Sequence, residues 1–303
     1  MSSSIRRSKK EWWIPYAVIA PAIILILVFK LFPIVNTVHD SFIRKGAYSL
    51  RNYELLWEDP IFWNSLWITF KFNIIITPLQ ILISIGMALL VNLKLKGVGI
   101  FRSIYYLPVT ISMTVAAMLW NLMLNPSTGV VNSVLTKMGI GAQPFFTGAD
   151  QALGSIMLLA SWKGCGYWMM FLLAGLQGIN AEIYESALID GANWWQKTTR
   201  ITIPLLKNSL MFVIISDTIS NLLLFAPMYM ITKGGPSSST NVLMYEVYKS
   251  AFIYSDEARA ATMQTVLLLI VAVIVSVQFI FMNQDNTASK PEKASKKRRG
   301  VAK

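Results

Sequence analysis

The chain has 303 residues, of which 54% are hydrophobic and 14% charged; an ordinary soluble domain carries about 25% charged residues. With a mean hydropathy of +0.52 and several apolar runs near the roughly 20 residues that cross about 30 Å of hydrocarbon as a helix, this is an integral membrane protein. One cysteine, Cys165, excludes an intrachain disulfide and a cysteine-rich metal site, and one histidine, His39, excludes a histidine cluster. The net charge of +12 is better read as basic residues collected on the cytoplasmic side than as a nucleic-acid surface.

Six spans follow in chain order: Ile14–Val35, Ser65–Val91, Ile104–Leu124, Ala152–Leu176, Leu205–Thr232 and Thr262–Met282. The first is too long for a signal peptide, and no small-x-small site follows before Pro33. Placing the N-terminus inside puts Arg6, Arg7, Lys9, Lys10, Lys94, Lys96, Arg102, Lys197, Arg200 and the seven bases after Asn283 in the cytoplasm. The outer segments then hold the smaller set: Arg44, Lys45, Arg51, Lys137, Lys233, Lys249 and Arg259. Trp12 and Trp13 suit an inner aromatic belt, and Tyr53, Trp57 and Trp63 an outer one. The expected organisation is a cytoplasmic segment 1–13, a transmembrane domain 14–282 and a basic, disordered cytoplasmic tail 283–303 held near anionic lipid. No Gly-x4-Gly-Lys-Ser/Thr occurs, so the chain has no P-loop for ATP phosphates.

Between the fourth and fifth spans lies a polar island, Gln177–Pro204. Asn180 can cap a helix whose first turns hold Glu182 and Glu185, where negative charge suits the dipole. Ile183, Tyr184, Ala187 and Leu188 make one apolar stripe. Gly191 follows Asp190 where a left-handed residue ends a helix. Asn193 can cap a second short helix with Trp194 and Trp195, and Pro204 sits near the first turn of the fifth span. Such a loop can lie on lipid or dock a protein. Three carboxylates against two bases suit an anionic leaflet poorly, which favours a protein partner.

The stretch Glu185–Pro204, E-S-A-L-I-D-G-A-N-W-W-Q-K-T-T-R-I-T-I-P, resembles the EAA loop of binding-protein-dependent ABC importer permeases. Glu185, Ala187, Gly191, Ile201 and Pro204 fall in register with that pattern, while Ser186 replaces an alanine and Ile203 a leucine. The D-G-A at Asp190–Ala192 is similar to the carbohydrate and glycerol-phosphate branch. So are P-Y-A-V-I-A-P at Pro15–Pro21, F-P at Phe32–Pro33, N-Y-E-L-L-W-E-D-P-I-F-W at Asn52–Trp63, F-R-S-I-Y-Y-L-P at Phe101–Pro108, L-A-G-L-Q at Leu173–Gln177 and T-K-G-G-P at Thr232–Pro236. The resemblance implies an all-α, polytopic fold of the type I importer permease kind, six transmembrane helices, both termini cytoplasmic, in a bacterial cytoplasmic membrane. It implies that Glu185, Ser186, Ala187, Asp190, Gly191, Ala192, Ile201 and Pro204 couple the chain to a cytoplasmic ATPase. The implied partners are a second permease subunit, two ABC ATPase subunits that carry the ATP and Mg, an extracellular solute-binding protein and membrane lipid. No cofactor is expected on this chain and no catalysis.

Within the spans, Lys163 and Asp217 are costly at depth and should face a bundle interior or a wet cavity, either paired or lining a substrate path. Trp162, Tyr167, Trp168 and Asn221 lie at similar depth, where aromatic faces can stack on sugar rings and an amide can bond hydroxyls, although packing is the commoner role. Asn73 and Gln264 are weaker candidates of the same kind. Small residues at Gly164–Gly166 suit close helix contact. A sugar or oligosaccharide is the expected cargo, with glycerol-3-phosphate or a polyol as the alternative. An ion-coupled secondary carrier using Asp217 should show inverted repeats, and none is visible. A membrane-embedded enzyme would need a cluster of catalytic or metal-binding groups.

Overall fold

The computed structural model describes residues 14–93 and 96–288. Trp12, Trp13, the rest of segment 1–13, Lys94 and the tail from Ser289 lie outside the described residues. The architecture is helical: α1 (Tyr16–Ser41), α2 (Arg51–Trp57), α3 (Pro60–Val91), α4 (Val98–Thr110), α5 (Met113–Met123), α6 (Val130–Lys137), α7 (Ala149–Gln177), α8 (Ala181–Ile189), α9 (Trp194–Leu205), α10 (Lys207–Leu222), α11 (Leu243–Phe252) and α12 (Glu257–Ala288). One small antiparallel hairpin, β1 (Ile43–Arg44) with β2 (Ala47–Tyr48), follows α1.

α1, α3, α7 and α12 are each long and apolar enough to cross a membrane; counting the bent pairs α4–α5 and α9–α10 as one span each gives six. The third and fifth predicted spans therefore need correction, because neither is a straight helix. α4 and α5 meet at 97°. Ile111 and Ser112 are extended there, and the Ser112 side chain caps α5 by accepting from Val115 N. Hydropathy averages across such a break and cannot register it. The fifth predicted span falls on a bent pair: α9 ends at Leu205, the chain turns by 71° into α10, and that helix ends at Leu222 instead of Thr232. The last helix runs past Met282 to Ala288.

Two of the π-helical turns, Leu27–Leu31 and Thr198–Thr202, end two residues before a proline, Pro33 and Pro204. A proline has no N–H and its ring crowds the carbonyl four residues back. The preceding turn widens to a wider hydrogen-bonded loop, as Ile203 N to Thr198 O illustrates.

The chain forms two compact units. One joins the chain up to Phe62 with Val247–Leu267. Inside it Asn52 donates to Ser41 O and Ile43 O, Arg44 donates to Asn52, and Arg259 reaches Asp59 at 2.7 Å and Ser250 at 2.8 Å. The other unit joins Trp63–Glu246 with the chain from Leu268. α7 is its central element: 61% of its apolar window is buried, against none of α1's. Its core joins α3, α7 and α10 through Val91, Met169, Leu172, Leu176, Leu206 and Val213. Gly166 lets α7 press against the backbone of α4, since a Cβ there would run into Tyr105 O.

Candidate functional site

The loop after α7 is built almost wholly from local chemistry. Asn180 accepts from Glu182 N at 3.2 Å and caps α8. At the other end Gly191 N donates to Leu188 O and Ala192 N to Ala187 O. That crossed pair of bonds ends a helix on a left-handed residue, and Gly191 has φ +74°. Asn193 and Gln196 then form a reciprocal capping box at the start of α9. Pro204 lies at the end of α9, after a π-helical turn and just before the bend into α10, and not in a first turn as expected.

Tertiary contact splits the apolar stripe expected on α8. Tyr184 and Ala187 turn toward the chain: Ala187 is 7% exposed and Tyr184 OH meets Thr202 Oγ1 at 3.0 Å. Ile183, Leu188 and Ile189 turn out, Ile189 being 87% exposed. The small side chain of Ala187 therefore serves packing within this chain. Glu185, Ser186, Asp190 and Gly191 are exposed, and Ile201 and Ala192 are half-buried. Glu185 and Leu188 also edge a groove of about 700 Å³ whose far wall holds Arg102. Arg102 itself donates to Val91 O and so caps the end of α3.

A second site lies inside the bundle, in an open cavity of about 220 Å³. Four of the five residues expected on a substrate path line it: Lys163 and Tyr167 of α7, and Asp217 and Asn221 of α10. Asp217 is 1% exposed. Its Oδ1 accepts from Trp168 Nε1 at 2.6 Å, and its Oδ2 has no hydrogen-bond partner. Lys163 Nζ donates instead to Val109 O at 3.1 Å, a carbonyl freed by the break between α4 and α5. The two charges thus share a cavity while each bonds elsewhere.

Trp162 is not brought there. It lines a different cavity with Leu158, Ser161 and Cys165 and packs beside Trp120. One residue is about 100° of helix, so Trp162 faces away from the arc made by Ala160, Lys163, Gly164, Tyr167 and Trp168. Gln264, also considered, is exposed on α12 in the other unit.

Gln80 and Thr77 of α3, which the sequence reading passed over, complete the site. Asn221 Nδ2 donates to Thr77 Oγ1 at 3.1 Å and to Gln80 Oε1 at 3.0 Å. A signal for them exists. Ser65, Thr69, Asn73, Thr77, Gln80 and Ser84 recur every three or four residues, and all are buried. They form one polar seam on an apolar helix. Asn73 donates to Thr218 O, Ser84 to Cys165 O, and Thr69 accepts from Leu243 N. In hydrocarbon such side chains need partners, and here the partners are other helices. Among the described residues no three His, Cys, Asp or Glu side chains come together as a metal site requires.

A helical bundle that gathers a buried carboxylate, an amine, amides and aromatic rings around an open cavity, and carries a rigid polar loop outside it, defines a multi-pass membrane permease. The pattern of the family described as binding-protein-dependent transport system inner membrane component matches residues 80–288. The chain belongs to that family and is an ABC importer permease of the inner membrane, with ATP hydrolysis on other subunits. It is similar to the lactose transport system permease protein LacF of Rhizobium radiobacter, 35% identical over 292 residues covering 92% of this chain and 98% of that one. The sn-glycerol-3-phosphate transport system permease protein UgpA of Brucella suis is 29% identical over 279 residues, 89% of this chain and 95% of that one. The solved bacterial alginate ABC transporter in complex with alginate pentasaccharide-bound periplasmic protein has a chain that aligns with a TM-score of 0.81 at 25% identity, covering 92% of this chain and 96% of that one.

Proposed function

We propose that this permease passes a sugar or oligosaccharide through the cavity beside Asp217, as one half of a permease pair with both termini in the cytoplasm. The carrying observation is the open cavity itself, lined by Gln80, Lys163, Asp217, Ser220 and Asn221 and flanked by Tyr167 and Trp168. A carboxylate oxygen and amide groups exchange hydrogen bonds with hydroxyls, and aromatic faces cover the apolar faces of a sugar ring. Among the described residues the cavity lining holds one amine and one carboxylate and no arginine. That balance suits a neutral polyol over a phosphate ester, which bidentate arginine recognises better. LacF, named for lactose, agrees with this reading; UgpA, named for glycerol-3-phosphate, keeps a phosphate ester as the second reading.

In this reading α8 is the coupling element. Glu185, Ser186, Ala187, Asp190, Gly191 and Ala192 form it, and Ile201 and Pro204 fix its return to the bundle. One of the two ATPase subunits, which hold the ATP and Mg, takes it into a cleft; a solute-binding protein delivers the cargo, as the alginate complex includes a periplasmic protein. Closure of the ATPases then reorients the helices around the cavity.

The test is uptake of lactose, maltose and glycerol-3-phosphate by proteoliposomes holding the full importer. Asn221→Ala should lower sugar uptake about tenfold, because a hydrogen bond to a charged or buried partner is worth about 1.5–3 kcal/mol. Wild-type sugar uptake by the Lys163→Met, Asp217→Asn double variant would remove the pathway.

A further inference from the structure

The loop that reads in sequence as one acidic island is two helices of opposite charge. α8 with its cap carries Glu182, Glu185 and Asp190 and no base; α9 carries Lys197 and Arg200 and no acid, and Lys207 follows at once. Gly191 separates them. The charge argument against lipid therefore applies to α8 alone.

α9 also wears its side chains inside out for a helix in water. Its threonines Thr198 and Thr202 are buried, Thr202 bonding Tyr184 OH and Lys197 O. Four of its apolar residues are exposed: Trp194 at 61%, Trp195 at 66%, Ile203 and Leu205, while Ile201 is half-buried. The Trp194 and Trp195 rings sit side by side, 6.3 Å between centroids. α9 meets α10 at 71°. If α10 crosses the bilayer, α9 lies near its plane. Exposed tryptophans, aliphatic residues and bases on a helix in that plane are what a headgroup layer accepts.

We propose that α9 is an interfacial anchor on the anionic cytoplasmic leaflet, with Trp194 and Trp195 at headgroup depth and Lys197 and Arg200 against lipid phosphates. It goes beyond the transport reading, and its first test below needs no knowledge of the cargo. α9 holds the return end of the loop at a fixed depth while α8, beyond the Gly191 turn, stays available to a protein partner.

The experiment compares the full importer and its Trp194→Phe, Trp195→Phe variant in nanodiscs of phosphatidylethanolamine and phosphatidylglycerol, without substrate. Bromines sit either high or deep on the lipid chains. The fluorescence lost in the variant should be quenched by the high bromines more than by the deep ones. Failure of both to quench it, or stronger quenching by the deep bromines, overturns the proposal. So does a pair that becomes quenchable only when the ATPase subunits are removed, since protein then covers it. In a second arm, Lys197→Gln, Arg200→Gln should reduce transport about fivefold in phosphatidylglycerol vesicles and leave it unchanged in phosphatidylcholine vesicles. An equal loss in both lipids would count against the lipid contact.

Discussion

The loop around α8 and the cavity beside Asp217 are held by bonds of very different reach. Asn180 caps Glu182 two residues on, and Asn193 and Gln196 cap each other at three. The cavity closes with bonds spanning 49 residues from Trp168 to Asp217, 141 from Gln80 to Asn221 and 145 from Asn73 to Thr218. The loop is held mainly by bonds between near neighbours in sequence. The cavity exists only while α3, α7 and α10 are in register, so any motion of one helix past another alters it. A rigid handle joined to a polar pocket assembled across helices suits a machine in which force applied outside the membrane reshapes the inside.

Substitutions can break that contrast. Gly191→Pro is expected to have the largest effect: proline is fixed near φ −65° while Gly191 stands at +74°, and the misfit costs about 3 kcal/mol or more in local structure. Transport should be abolished and ATPase association lost while the permease still purifies as a folded membrane protein; normal transport would remove the coupling role of α8. Gly166→Leu attacks the bundle instead. Its side chain has no room beside Tyr105 O, and overpacking of about 1–3 kcal/mol should lower the melting temperature in detergent, with α8 unaffected. An unchanged melting temperature would show that α4 and α7 are not so closely packed.

Smaller changes sharpen the comparison. Trp168→Phe keeps a ring and leaves both Asp217 oxygens without a protein donor, a loss of about 1–3 kcal/mol. It should depress sugar uptake while ATPase association holds, which a pull-down beside an uptake assay would separate. Asn193→Ala removes one half of the capping box at about 1 kcal/mol, and its predicted effect is a modest fall in coupling efficiency, read as ATP hydrolysed per sugar moved. A larger effect from Asn193→Ala than from Gly191→Pro would show that the α9 cap matters more to coupling than the Gly191 turn.

The same difference in reach explains what could be read in advance. Asn180, Gly191 and Asn193 carry their meaning in their immediate neighbours, and each holds the position expected of it; Pro204 does not, because it lies at the end of α9 and not in a first turn. The polar seam from Ser65 to Ser84 was visible as a period but not as a partner, because the residues it bonds lie on other helices. Trp162 looked equivalent to Lys163 by depth, and only the helix rotation set them on different faces.

Sequence alone determined that the chain is a membrane protein, about where its spans run, and the form of the exposed loop, because burial in lipid and helix capping act over one helix or a few residues. Tertiary structure alone decided that the third and fifth spans bend, that Asp217 bonds Trp168 while Lys163 bonds Val109, that Gln80 belongs beside them, and that α8 hides Ala187 and shows Ile189. Those outcomes depend on which helices meet and at what rotation, and that is fixed by packing between residues distant in sequence, 49 apart for Trp168 and Asp217, 54 for Lys163 and Val109, and 141 for Gln80 and Asn221.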